Sequence, residues 1–217
     1  MISGLPILFE DSDLLVLNKP SGLVSEGGSD GQADLESLVS DNLGKEVRCC
    51  HRLDKLTSGA ILLRKNKRFN RELGKMIEGH RLRKTYWAIS RGIWPKAINR
   101  IETKLLHRKG RTIVDPRGKS ALTTVRVLAH DTSNDRSLIE LLLKTGRTHQ
   151  ARVHCAESAH PILGDPLYGT GETGEFFGLH ARELKFRHPG TGENITASAT
   201  PPSNWKPVIE AIGLEYN

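Results

Sequence analysis

The stretch HRLDKLTSGA, His51 to Ala60, holds the most chemically suggestive pattern in the chain. Asp54 is a single carboxylate among a histidine, an arginine and a lysine; a turn-like Thr57-Ser58-Gly59 and an apolar run follow it. Held ionised, such a carboxylate can act as nucleophile or general base. The same residues can equally form a solvated salt-bridge loop. Two further segments hold residues that could converge on Asp54: KTYWA (84–88) and LLLKTGRTHQARVH (141–154). Taken singly, Tyr86 reads as a half-buried tyrosine on an edge strand and Arg147 as a solvated loop charge.

Other chemistries find little support. His149 and His154 stand five apart, which does not put two ligands on one helical face. Cys49, Cys50 and His51 lack the paired spacing of a zinc site, so no metal is expected. Ser21 and Ser58 lie near glycines but in no G-x-S-x-G elbow, and Cys155 reads as a buried structural thiol. There is no Walker A loop and no G-x-G-x-x-G. A hydrolase with two carboxylates could pair Asp54 with Asp165, but Asp165 in LGDPLYG reads more simply as a turn residue.

Positioning these groups falls to interleaved strands and helices. ILFEDSDLLVLNK predicts two strands, 7–10 and 14–18, closed by Lys19-Pro20-Ser21-Gly22. SEGGSDGQ reads as a loop. Asp34 reads as an N-cap, with Leu35, Leu38, Val39 and Leu43 at helical spacing and Gly44 as the stop. AILLRKN is a strand; Phe69, Leu73, Met76 and Ile77 form an amphipathic helical stripe. KTYWAIS is another strand. Residues 104–119 read as a hairpin or exposed loop, and TTVRVLAH and SLIELLLK as paired strands. A helix is expected from Thr148, with Ala151, Cys155 and Ala159 on one side. PILGDPLYGTGETGE reads as a loop, and two late strands and a short helix close the chain. The helices are too few for regular βαβ winding, so the expectation is α+β, with a mixed, mainly antiparallel sheet and helices packed on it.

The chain has 217 residues, 37% hydrophobic and 26% charged, which excludes disorder and fits one domain over 1–217 or two joined lobes. Its net charge of +7 favours polyanions, nucleic acid first. The charge is segregated: residues 10–46 carry nine acids and two bases, residues 64–84 nine bases and two acids. A basic concentration suits a phosphate backbone. Three cysteines, two of them adjacent, suit a reducing compartment. The N-terminus lacks a basic n-region and no apolar run is long enough to span a bilayer, so a cytoplasmic protein is expected.

Five motifs in order, HRLDKLTSG (51–59), KTYWA (84–88), TGRTHQARVH (145–154), HPILGDPLYG (160–169) and LHARELKFRHP (179–189), together with ILFEDSDLLVLNKPSGLV (7–24), resemble the RluA-type pseudouridine synthase family. That family converts uridine to pseudouridine in rRNA or tRNA. The resemblance implies its catalytic fold, a bisected β-sheet with flanking helices and loops, acting as a monomer with RNA as partner. It implies no metal or organic cofactor. Asp54 matches the family's essential aspartate. Tyr86 matches the tyrosine that stacks on the target uracil and can take the C5 proton, and Arg147 a basic residue that pairs with the carboxylate. Arg52 matches an arginine that fills the space of the flipped base. The basic segment suggests phosphate contacts from Lys67, Arg68 and Lys84. The family often carries an N-terminal S4 RNA-binding domain; here the motifs begin almost at residue 7, which leaves no room for one. A non-catalytic RNA-binding module is the alternative, but it leaves a carboxylate among phosphate-seeking residues unexplained.

Overall fold

A computed structural model describes residues 2, 4–27, 33–169, 176–213 and 216. In chain order the elements are β1 (Ile7–Glu10), β2 (Leu14–Lys19), α1 (Leu35–Leu43), β3 (Arg48–Cys49), β4 (Ser58–Arg64), α2 (Asn70–Glu78), β5 (Arg83–Arg91), β6 (Arg100–Arg108), β7 (Arg111–Val114), β8 (Lys119–Asp131), β9 (Arg136–Leu143), α3 (Gln150–Glu157), β10 (Leu179–Arg187), β11 (Asn194–Ser198) and α4 (Lys206–Ala211). Many strands and few helices make an α+β fold, as the residue pattern predicts. No helix among the described residues is long and apolar enough to cross a membrane.

The chain packs as two compact units. The first comprises residues 1–84 and 181–202, the second 85–180 and 203–217, so the chain passes from one to the other within β5, within β10 and again after Pro202. In the first unit β1 pairs β2 and β2 pairs β4, both antiparallel; β3 also pairs β4, and β11 pairs β10. The alternating strand positions Leu14, Val16, Ala60 and Leu62 face Leu73 and Met76 of α2, with Leu184 and Phe186 of β10 completing this core. The Asp34 carboxylate accepts the Ser37 N–H at 2.8 Å and Gly44 ends α1 at φ 62°, as the sequence predicts for both ends.

In the second unit β6 pairs β7 in a hairpin, β6 also pairs β8, and β8 pairs β9, all antiparallel. One core gathers Ile89, Leu138, Trp205, Val208 and Ile209; a smaller one joins Leu105, Ala121 and Val153. The expected helix at 148–159 is shorter: α3 runs from Gln150 to Glu157, and Ala159 stands outside it with φ +62°. Ala159 is therefore not on the apolar side with Ala151 and Cys155. The chain turns there because the Ala159 N–H bonds the Ala156 carbonyl in place of a helical partner. Residues 170–174 of the glycine-rich GTGETG and 28–32 of SEGGSDGQ lie outside the described residues.

Candidate functional site

Asp54 is half-buried at the tip of the loop that leads into β4, and the Thr57 N–H closes a turn onto its carbonyl at 3.0 Å. The segment after β2 holds this loop. Ser25 Oγ donates to the Leu53 carbonyl at 2.9 Å and accepts the Leu53 N–H at 3.1 Å. The Gly22 N–H reaches the Lys55 carbonyl at 2.8 Å, and Ser21 Oγ donates to the Leu56 carbonyl at 2.6 Å. Thus the residues on both sides of Asp54 have their main chain tied to the 21–25 segment.

Lys19 fastens that segment. It is fully buried, and its Nζ donates to the carbonyls of Pro20 (3.0 Å), Leu23 (2.7 Å) and Lys55 (3.3 Å). Three carbonyls satisfy the three N–H bonds of an ammonium, which is how a buried lysine is tolerated. Burial pulls its pKa down to about 8, against the Asp54 carboxylate, which favours the charged form. In the sequence Lys19 reads only as the end of a strand, which does not predict this role. The available signal was a lysine between an apolar strand and Pro-Ser-Gly, a place where a side chain cannot easily reach water.

His51 is a structural neighbour. Its Nε2 accepts the Leu62 N–H at 3.1 Å, and burial, helped by the Lys84 charge, pushes its pKa down to about 3. The ring is neutral and serves as an acceptor for β4. Lys84 is half-buried, and burial lowers its pKa as well. Arg52 is exposed and lies 3.5 Å from Glu26. Gly59 has φ +113°, and a Cβ there would stand 2.3 Å from the Ala181 carbonyl oxygen. Lys67 and Arg68 are exposed, with carboxylates of Glu46 at 3.6 Å and Asp13 at 3.8 Å.

The second unit holds Tyr86 and Arg147. Tyr86 is buried on β5, 6% exposed. Arg147 precedes α3 in a turn that Gln150 organises: its Oε1 accepts from Thr145 Oγ1 (2.7 Å) and the Arg147 N–H (3.1 Å), and its Nε2 donates to the Leu122 carbonyl and Thr123 Oγ1. Arg147 itself is half-exposed, with Nε donating to the Ser120 carbonyl at 3.0 Å.

One turn later on α3 lies an arginine for which the sequence pattern predicts no role. Arg152 is buried, and its Nε and Nη2 donate to the two carboxylate oxygens of Asp165, each at 2.8 Å. Asp165 Oδ1 also accepts the N–H groups of Leu167 (2.9 Å) and Tyr168 (3.0 Å), so it is a turn residue, as expected, and an ion-pair partner too. Burial pushes its carboxyl up, but the Arg152 bonds and charge and the two N–H groups outweigh this and hold it below the usual carboxylate range. The guanidinium carbons of Arg111 and Arg152 lie over the Tyr168 ring, 5.2 and 5.1 Å from its centroid. Its hydroxyl accepts the Thr112 N–H at 2.8 Å and lies 2.9 Å from His149 Nδ1. This network ties the β6–β7 hairpin to α3. Among the described residues no cluster of side chains suits a metal ion.

A model of the RNA pseudouridylate synthase family matches residues 13–157, which include Asp54, Tyr86, Arg147 and Arg152. An RNA pseudouridine synthase of Bacillus subtilis, YhcT, is 38% identical over 212 residues, covering 93% of this chain and 70% of that protein. Ribosomal large subunit pseudouridine synthase D of Haemophilus ducreyi is 35% identical over 236 residues, 98% of this chain and 72% of that protein. Among solved structures, human RNA pseudouridylate synthase domain containing 1 superposes with a TM-score of 0.78 at 27% identity, over 98% of this chain and 89% of that one.

Proposed function

The chain belongs to the RNA pseudouridylate synthase family, isomerases that act on RNA, and from that premise we propose that it converts uridine to pseudouridine in ribosomal large-subunit RNA. The observation that carries the reading is Asp54 on a loop whose main chain is fixed on both sides, next to a buried ammonium. The substrate class rests on relatives named for the large ribosomal subunit. Residues 1–217 serve as the catalytic domain, as a monomer in the cytoplasm. Three free thiols suit that compartment.

The reaction breaks C1′–N1, turns the uracil and joins C1′ to C5; the C5 proton leaves and N1 ends protonated. It has no net redox change, so it calls for no electron-carrying cofactor. Asp54 is the reactive carboxylate and Tyr86 the aromatic face and base for the C5 proton. The flipped base costs a few kcal/mol, which stacking of about 1–3 kcal/mol per base helps to offset. Arg147 orients the carboxylate. Arg147→Lys tests this, since an orienting residue loses turnover when its planar fork becomes a point charge. Arg52 contacts the RNA.

The test is carbodiimide mapping of pseudouridine after incubation with transcribed large-subunit rRNA, with transfer RNA in parallel. One or a few new sites are expected in the rRNA. Asp54→Asn should lower the rate by about 10³-fold or more while RNA affinity holds. Modification confined to transfer RNA would move the substrate, and near-native turnover by Asp54→Asn would remove the aspartate from the chemistry.

A further inference from the structure

The basic segment 64–84 does not present its charge evenly. Its first half folds against the acidic N-terminal segment: Lys65 pairs with Glu10 at 2.8 Å, Lys67 with Glu46 at 3.6 Å and Arg68 with Asp13 at 3.8 Å. A cation already facing a carboxylate gains less from a phosphate, because the carboxylate repels the incoming anion. Among the described residues, Arg71, Lys75, Arg81 and Arg187 have no carboxylate within ion-pair distance.

Three of these, Lys75, Arg81 and Arg187, line one groove of about 510 Å³ between α2 and the turn joining β10 to β11. Two are braced: Arg81 Nη2 donates to the Lys75 carbonyl at 3.2 Å, and Arg187 Nε to the Gly192 carbonyl at 2.8 Å. Holding a guanidinium in place before binding lowers the ordering cost of a phosphate contact. Met76, Pro189 and Gly190 give the groove apolar surface, and His188 stiffens the turn by accepting the N–H groups of Gly190 and Thr191 at Nδ1 (3.1 and 3.0 Å). Glu72 is the single acid in the lining, so positive charge dominates.

We propose that this groove, rather than Lys67 and Arg68, is where the first unit grips the RNA strand away from the reacting uridine, with phosphates on Lys75, Arg81 and Arg187 and sugar or base against the apolar floor. A cationic rim over an apolar floor fits a nucleotide chain, whose charge and flat faces alternate. The proposal rests on the reading of the protein as an enzyme of RNA. It is tested by affinity, which needs no turnover, so it can fail or hold independently of that reading.

The experiment is fluorescence anisotropy of a labelled oligouridylate with the full chain across a salt series. Lys75→Glu should weaken binding about tenfold and flatten the slope of log affinity against log salt by about 0.7 per lost phosphate contact. Arg187→Gln should act in the same direction. Lys67→Glu should change affinity clearly less than Lys75→Glu. An unchanged affinity and slope for Lys75→Glu, or an equal loss for Lys67→Glu, overturns the proposal. So does equal affinity for polyglutamate, which would make the groove a site for acidic peptide. Lys75 is exposed and makes no hydrogen bond through its side chain, so folding should survive; Lys75→Gln, with a smaller loss in the same direction, keeps the test decisive if the reversal melts early.

Discussion

The loop bearing Asp54 and the surroundings of Arg152 on α3 are held by different means. Around Asp54 the bonds run to main-chain groups: Lys19, Ser21 and Ser25 reach carbonyls, and Gly22 offers its own N–H. Around Arg152 the bonds between side chains weigh more: guanidinium to carboxylate, two guanidiniums on one ring, hydroxyl to imidazole, with the main-chain N–H groups of Leu167, Tyr168 and Thr112 added to them. A loop fixed by its carbonyls spreads its stability over several partners. A side-chain network concentrates it in a few, and losing one strands another.

The contrast orders the expected effects. Arg152→Ala should be the most damaging to stability, about 3–5 kcal/mol in urea unfolding, because it leaves the buried Asp165 carboxylate unpaired. If Arg152→Ala with Asp165→Asn is as unstable as Arg152→Ala alone, the stranded charge is not the cause and the contrast breaks. Lys19→Met should cost less, about 2 kcal/mol, since removing a buried ammonium relieves its desolvation while leaving the Pro20 and Leu23 carbonyls without it. It should also slow turnover at least tenfold by loosening the residues around Asp54. Normal turnover from a folded Lys19→Met protein would show that main-chain anchoring alone suffices.

An effect smaller per histidine and per pH unit, though larger once summed over the whole acid range, tests both regions at once, since each contains a neutral histidine. His51 accepts from Leu62 in the first; in the second, His154 is buried between Thr103 and Thr123, and burial pushes its pKa down to about 4. Unfolded, both titrate near 6.5, so below that pH the unfolded chain binds more protons and the folded state loses stability. Stability should be complete above about pH 6.5 and fall toward pH 4 by about 1.4 kcal/mol per pH unit for each histidine. His154→Gln should halve the slope in urea titrations between pH 6.5 and 5; an unchanged slope would show that His154 is not the group taking up the proton.

Much of this was legible in the residues. The Asp34 cap, the Gly44 stop, the strands from Ile7 and Leu14 and the apolar stripe of α2 follow from local rules of periodicity and capping, and all are present. Asp54 stood out because a lone carboxylate among cations is locally odd. Lys19 did not, because its three carbonyl partners include one 36 residues away, and no local pattern encodes that. Arg152 was hidden for a related reason: its partner Asp165 lies 13 residues on, in what reads as an ordinary turn. The charge on 64–84 was read correctly as a concentration, but which cations face carboxylates depends on how Glu10, Asp13 and Glu46 fold back beside them.

Gly59, two residues after Thr57 at the start of β4, has a consequence for how substitutions in this motif are read. No side chain fits between its Cα and the Ala181 carbonyl. A screen scoring lost modification would therefore rank Gly59 beside Asp54, although one is a spacing requirement between neighbouring strands and the other a reagent. The segment that presents the carboxylate is also one with no room for added bulk, so the motif's apparent strictness combines a demand of the chemistry with a demand of the sheet.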